Sequence, residues 1–209
     1  LTATRGVALI EDDIYGDLCF DDQRPWPIKA FDASGNVMLC SSFSKSLSPA
    51  LRIGFVAAGR YRQAIALQKT VTSGGTNPLT QHVLAEYLDS GAYERHLRSL
   101  RRSYERQVDA MRQAVTRHFP AETRIAQPQG GFVLWIEMPE DCDTMALHEA
   151  AAGQGLAFVP GELFSASGMY RNCLRLNCGN PHAPEIEDAV RRLGKLIGQG
   201  QFRNTGPSQ

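Results

Sequence analysis

The stretch Ser41-Ser42-Phe43-Ser44-Lys45-Ser46-Leu47-Ser48-Pro49-Ala50-Leu51-Arg52-Ile53-Gly54-Phe55 decides the reading of this chain. It sets one lysine among small hydroxyl residues, directly after the apolar run Val37-Met38-Leu39-Cys40. Arg52 follows seven residues after Lys45 and opens a second apolar run, 53–58. A lysine at the mouth of a strand, out of bulk water, can lose its proton and attack a carbonyl. Serines and an arginine beside it make a site for a dianion. An amine next to a phosphate cradle is what an aldehyde cofactor bearing a phosphate requires.

Two further segments belong with it. Ala8-Leu9-Ile10-Glu11-Asp12-Asp13-Ile14-Tyr15 is an apolar run that ends in acids and a tyrosine. Carboxylates at the end of a buried run each need a partner, although a strand followed by a solvated turn has the same pattern. Downstream, Arg175 lies in Cys173-Leu174-Arg175-Leu176-Asn177-Cys178-Gly179-Asn180-Pro181. An arginine in an alternating strand must pair or reach solvent, and an edge strand is the simplest place for one.

Together the segments resemble the Schiff-base lysine motif and its companions in fold-type-I pyridoxal-phosphate enzymes, the aminotransferase superfamily. The resemblance covers residues 4–197 and implies an α/β fold: the C-terminal half of a class I/II aminotransferase, with part of the large domain and an α+β small domain. It makes Lys45 the catalytic, cofactor-linked lysine and assigns the phosphate to Ser42, Ser44 and Arg52. Asp12 would hold the protonated pyridine nitrogen of pyridoxal 5'-phosphate. Asp13 competes for that role, but the three-residue step to Tyr15 matches the family's Asp-x-x-Tyr element. Tyr15 would donate to the ring phenolate oxygen. Arg175 would bind the substrate carboxylate, with Arg171 the alternative. Gln129-Gly130-Gly131-Phe132 resembles the strand near the substrate pocket, and Gly161-Glu162-Leu163-Phe164 resembles the loop over the active site. Ala50 is a departure, because the family often has glycine there, and its methyl restricts the turn before Arg52.

Residues 12–18 and 170–181 look most like the aminotransferase-like domain of MocR-type members of the GntR regulators, which carry an N-terminal winged helix. The implied function is an effector domain that senses or transaminates an amino acid, with DNA bound through a segment outside this chain. A fragment of a free-standing aminotransferase of aminoadipate or aromatic type is the alternative, and a folded remnant without chemistry is a third. Fold-type-I sites lie at subunit interfaces, so the resemblance implies a homodimer. The loop 73–77 would reach the partner's phosphate, unless it is an ordinary glycine-rich connector.

The 209 residues carry 22 basic and 22 acidic side chains, and no basic patch points to nucleic-acid binding by this segment. No run is long enough to span a bilayer and no signal peptide is visible. The five cysteines form no CxxC pair, which fits a reducing cytoplasm. The histidines show no metal-ligand spacing. His82, His96, His118 and His148 fall in helical patterns as surface or boundary residues. The chain begins at Leu1 with an apolar run close behind, the pattern of a piece of something longer. The family's glycine-rich phosphate turn and ring-stacking aromatic are expected earlier than Leu1.

The domain expectation is residues 1–91 for the part of the large domain bearing Lys45, 92–199 for a linking helix and small domain, and 200–209 for a disordered tail. Strands are expected at 6–12, 37–43 and 52–58, and a helix at 61–71. Asn77 caps a further helix with Pro78 at its first position, carrying Leu79, Val83 and Tyr87 on one face and stopping at Gly91. A long helix, 92–118, repeats Leu97, Leu100, Tyr104, Val108, Met111 and Val115 every three or four residues. The small domain reads strand, strand, helix, strand, helix.

Overall fold

A single carboxylate shapes the entry to the central strand of the N-terminal half. Asp32 accepts from the backbone N–H groups of Ser34, Asn36 and Val37, at 3.2, 3.1 and 2.8 Å. It also accepts from the Ser34 hydroxyl and from Lys29 Nζ, at 2.9 and 3.1 Å. The computed structural model describes residues 2–21, 24–181, 183–199 and 202. It divides into two units, residues 1–101 and 102–209.

The first unit opens with a short helix, α1 (Thr2–Arg5), followed by three strands: β1 (Leu9–Asp12), β2 (Val37–Ser42) and β3 (Gly54–Ala57). They lie in the order β1-β2-β3. β1 and β2 are parallel, with Leu9 opposite Val37 and Asp12 opposite Cys40, so both strands run toward the same edge. β3 returns antiparallel, with Ser42 opposite Gly54. A side chain at Gly54 would press on the Ser41 carbonyl oxygen at 2.7 Å, so only glycine lets β3 approach β2 this closely.

Three helices follow: α2 (Arg62–Thr72), α3 (Pro78–Asp89) and α4 (Ala92–His118). Asn77 caps α3, accepting from Leu79 N at 2.9 Å, and Pro78 is its first residue. The apolar face of α3 is unevenly covered. Leu79 and Val83 are 70% and 57% exposed, while Leu84 is 6% exposed. Leu84 faces Leu47 and Leu51 across a groove of about 280 Å³ that Ser48, Val83 and Tyr87 complete. The apolar stripe of α3 is therefore only partly covered.

α4 takes the bounds that its periodicity predicts, and Leu97, Val108, Met111 and Val115 are buried. The division between the units falls inside this helix.

The second unit contains β4 (Arg124–Ile125), β5 (Val133–Glu137), α5 (Thr144–Ala152), β6 (Val159–Pro160), β7 (Cys173–Asn177) and α6 (Pro184–Gly198). This is one strand more than the expected order. The four strands form an antiparallel sheet in the order β4-β5-β7-β6. Leu134, Ile136, Leu174 and Leu147 have no exposed surface, and Val190, Leu193 and Leu196 of α6 are buried as well. Asp143 caps α5 by accepting from Met145 N and Ala146 N at 3.0 and 3.1 Å. Among the described residues no helix is long and apolar enough to cross a membrane. The expected tail 200–209 lies outside the described residues except for Phe202, whose carbonyl accepts from Asp143 N at 2.7 Å.

Candidate functional site

Lys45 stands on a closed turn at the carboxyl end of β2. Phe43 N donates to Ile53 O at 3.1 Å, which carries the β2–β3 ladder one step past Ser42. Leu47 N and Ser48 N both donate to Phe43 O, at 2.8 and 3.2 Å, and so close the turn around Lys45. Ser42 Oγ accepts from Ser44 N at 3.3 Å. Lys45 is half-buried, and its ammonium makes no hydrogen bond or ion pair among the described residues. Sheets of this kind present ligands with the carboxyl ends of their parallel strands.

Arg52 follows on the next turn. Ser48 Oγ accepts from Ala50 N at 3.2 Å and caps a one-turn 3-10 helix, Pro49–Leu51. Ala50 keeps a negative φ, so its methyl is accommodated. The left-handed residue is Arg52 itself, at φ 51 and ψ 39. That backbone costs a non-glycine residue roughly 1–2 kcal/mol. The Arg52 side chain is exposed beside the ladder that ends at Ser42 and Phe43.

In β1 the side chains alternate. Glu11 turns to one face and accepts from Ile28 N and Lys29 N at 2.7 and 2.9 Å. Asp12 turns to the exposed face with Ile10, and its Oδ1 accepts from Ile14 N at 3.3 Å. Asp12 has no ion pair among the described residues. Asp13, next to it, is held by the Arg24 guanidinium, which also grips Asp17. Burial pushes the Asp13 carboxyl up, against the opposing pull of Arg24. Gly16 leaves the room in which Arg24 reaches Asp13, since a Cβ there would meet both groups. Tyr15 lies at the start of the following 3-10 turn, its carbonyl accepting from Leu18 N at 2.9 Å.

Arg175 belongs to the second unit. β7 is paired on both sides, with Arg175 opposite Trp135 on β5 and Val159 on β6, so it is not an edge strand. The guanidinium carbon lies 4.7 Å from the centre of the Phe164 ring. Trp135 in turn meets Phe164 and Tyr170 edge-on, each at 5.7 Å. Gly161 permits the close approach of this loop to β7, because a Cβ would lie 2.5 Å from Tyr170 O and 2.7 Å from Cys173 Cβ. Arg175 has no carboxylate partner among the described residues. Arg171 has two, Asp143 at 3.4 Å and Glu162 at 3.9 Å. The arginine left open to an external carboxylate is therefore Arg175.

Lys45, Ser42, Ser44, Arg52, Asp12 and Tyr15 all lie in the first unit, at the ends of strands that share one sheet edge or in the turns that follow. The donor set fits pyridoxal phosphate. It offers an open amine for a carbonyl, hydroxyls and a guanidinium for a phosphate, and an unpaired carboxylate for a cationic ring nitrogen. Arg24 was not anticipated as the residue that separates the two aspartates. Nor were Tyr93 and His96, whose side chains reach the Lys45 turn from α4.

The comparisons with known proteins agree with this fold. Residues 1–193 match the family model described as aminotransferase class I and II. The chain is 39% identical over 197 residues to the uncharacterized HTH-type transcriptional regulator YjiR of Escherichia coli, covering 94% of this chain and 42% of that protein. It is 36% identical to the 2-aminoadipate transaminase of Thermus thermophilus, covering 92% of this chain and 49% of that one. The solved structure of LysN, an alpha-aminoadipate aminotransferase from Thermus thermophilus complexed with N-(5'-phosphopyridoxyl)-L-leucine, superposes with a TM-score of 0.86 at 33% identity. It covers 95% of this chain and 52% of LysN. The chain thus spans about half the length of these relatives. It belongs to the aminotransferase class I and II family, the fold-type-I pyridoxal-phosphate proteins.

Proposed function

We propose that this chain is the pyridoxal-phosphate-binding, aminotransferase-like effector part of a MocR-type regulator of the GntR family, and that it senses or transaminates an amino acid. The observation that carries the reading is Lys45: a half-buried amine on a closed turn, at the sheet edge that also bears Asp12, where among the described residues neither the amine nor the carboxylate has an ionic partner. Bound there, the cofactor supplies an electrophilic carbonyl and an electron-accepting ring. Lys45 Nζ holds the carbonyl end and gives up or takes a proton at that atom. Ser42, Ser44 and Arg52 hold the phosphate. Asp12 keeps the ring nitrogen cationic, and Tyr15 donates to the ring oxygen. Arg175 binds the carboxylate of the amino acid through its planar fork, which lysine cannot reproduce.

On this reading the complete protein is a homodimer, and DNA is bound by a segment outside these residues. Similarity to YjiR supports the regulator. Similarity to 2-aminoadipate transaminase supports the second reading, a free-standing aminotransferase. The gene sequence upstream of Leu1 separates them: a winged-helix segment favours the regulator, and an aminotransferase N-terminal half directly following the start codon favours the enzyme. Cofactor binding is tested by the visible absorption of the full-length protein on adding pyridoxal phosphate. No new band would defeat both readings.

A further inference from the structure

The turn that carries Lys45 is gripped from α4. Ser46, the next residue, is 3% exposed. Its hydroxyl lies 2.9 Å from the Tyr93 hydroxyl, and its carbonyl lies 2.8 Å from His96 Nε2. A carbonyl only accepts, so Nε2 carries the hydrogen. Phe43, at the other flank of the turn, packs edge-on against the Tyr93 ring with centroids 5.8 Å apart. The Tyr93 hydroxyl also lies 2.9 Å from Asp17 Oδ2. A carboxylate only accepts, so the Tyr93 proton goes to Asp17, and the Ser46 hydroxyl donates to the Tyr93 oxygen. Asp17 is bound further by Arg24, which pairs Asp13, and its carbonyl accepts from Arg101 Nε at 2.7 Å. One buried hydroxyl therefore joins the turn after β2 to the segment that follows β1.

We propose that Tyr93 and His96 are positioning residues for Lys45. Through Ser46 they fix the direction in which the lysine leaves its turn, and through Asp17 Tyr93 fixes that turn against the segment bearing Asp12 and Tyr15. The inference rests on the reading of Lys45 as the residue that holds the cofactor. Tyr93 can serve as a permanent neutral donor: burial foremost pushes its hydroxyl up to about 12, so it keeps its proton across the physiological range. The grip makes no hydrogen bond to the Lys45 ammonium among the described residues, so it orders the backbone without occupying the amine.

The test uses the full-length protein with pyridoxal phosphate. Tyr93→Phe keeps the ring packing and deletes the hydroxyl. His96→Leu deletes the donor, and His96→Gln keeps one. The readouts are the rate at which borohydride fixes the cofactor to Lys45, followed by peptide mapping, and the pH midpoint of the cofactor's visible band. Losing one such hydrogen bond should slow fixation roughly two- to tenfold. Tyr93→Phe and His96→Leu should both show this and move the midpoint, and His96→Gln should recover most of the wild-type rate. Should Tyr93→Phe fail to fold, Ser46→Ala removes the Ser46–Tyr93 bond and keeps the Tyr93–Asp17 bond, and slower fixation with a moved midpoint is again expected. Variants that lose melting temperature but fix the cofactor at the wild-type rate, with an unmoved midpoint, would overturn the inference and leave Lys45 in its role. Failure of the wild type to label Lys45 would overturn both.

Discussion

Asp13 is ion-paired to Arg24, and that pairing leaves Asp12 as the carboxylate at the end of β1 without a cation among the described residues. Two adjacent aspartates of the same chemistry are thereby given different work. Asp12→Ala should weaken pyridoxal phosphate binding, by about 3–5 kcal/mol if the ring pairing is fully buried in the complete protein. Asp13→Ala should leave the affinity near wild type and cost stability instead, because it releases Arg24. Equilibrium titration of both variants with the cofactor, together with urea denaturation, checks this. The reverse ranking of affinities would contradict the assignment.

Arg175 and Arg171 make a similar contrast. Arg171 already has Asp143 and Glu162, whereas Arg175 stacks on Phe164 and has no carboxylate among the described residues. Arg175→Lys should weaken amino-acid binding by roughly 1.5–3 kcal/mol, about one to two decades, with cofactor affinity unchanged. Matching amines without the carboxylate should bind wild type and variant alike. A spectral titration in which wild type and variant bind amino acids equally well would make Arg175 structural.

Gly54 is predicted to be intolerant of a side chain. A methyl there would press on the Ser41 carbonyl oxygen at 2.7 Å and on Ser42 Cβ at 3.0 Å. Gly54→Ala should cost on the order of 1–3 kcal/mol in denaturant unfolding, by forcing β3 away from β2. Because Arg52 precedes β3, phosphate affinity should fall with it. A variant as stable as wild type, with unaltered cofactor affinity, would show that the strands can separate freely.

The Asp32 turn sets an acid dependence. The Val37 N–H foremost, with Lys29, Ser34 and the Asn36 N–H, holds its carboxyl well below the usual value. A carboxyl depressed in the folded state stabilises the fold fully above its unfolded value of about 4, and loses that contribution as pH falls through the lower folded value. The gap in melting temperature between wild type and Asp32→Asn should therefore be widest near neutrality and shrink below about pH 4. A gap that stays constant on acidification would exclude a role for the Asp32 charge.

Much of this was legible in the residues, for identifiable reasons. α4 follows its apolar repeat, Asn77 and Pro78 mark the start of α3, and the strand–turn–strand around Lys45 is local in sequence. The α3 stripe shows where legibility ends. Its spacing tells which side is apolar but not what covers it, and Leu79 and Val83 are exposed where Leu84 is buried. Contacts between distant residues left no trace in the sequence. Tyr93 meets Ser46 and Asp17 across separations of 47 and 76 residues, and neither pattern nor spacing links them. Arg24 looks like one more exposed arginine until the fold brings it against Asp13.

The central claim is that Lys45 is the residue that holds the cofactor, and it is tested most directly by mapping the attachment. The full-length protein is incubated with pyridoxal phosphate, reduced with borohydride, digested and sequenced by mass spectrometry. The account predicts a phosphopyridoxyl mass on the peptide containing Lys45, lost in Lys45→Ala, which should still bind the cofactor reversibly. A label on any other lysine, or its persistence in Lys45→Ala, would contradict the account.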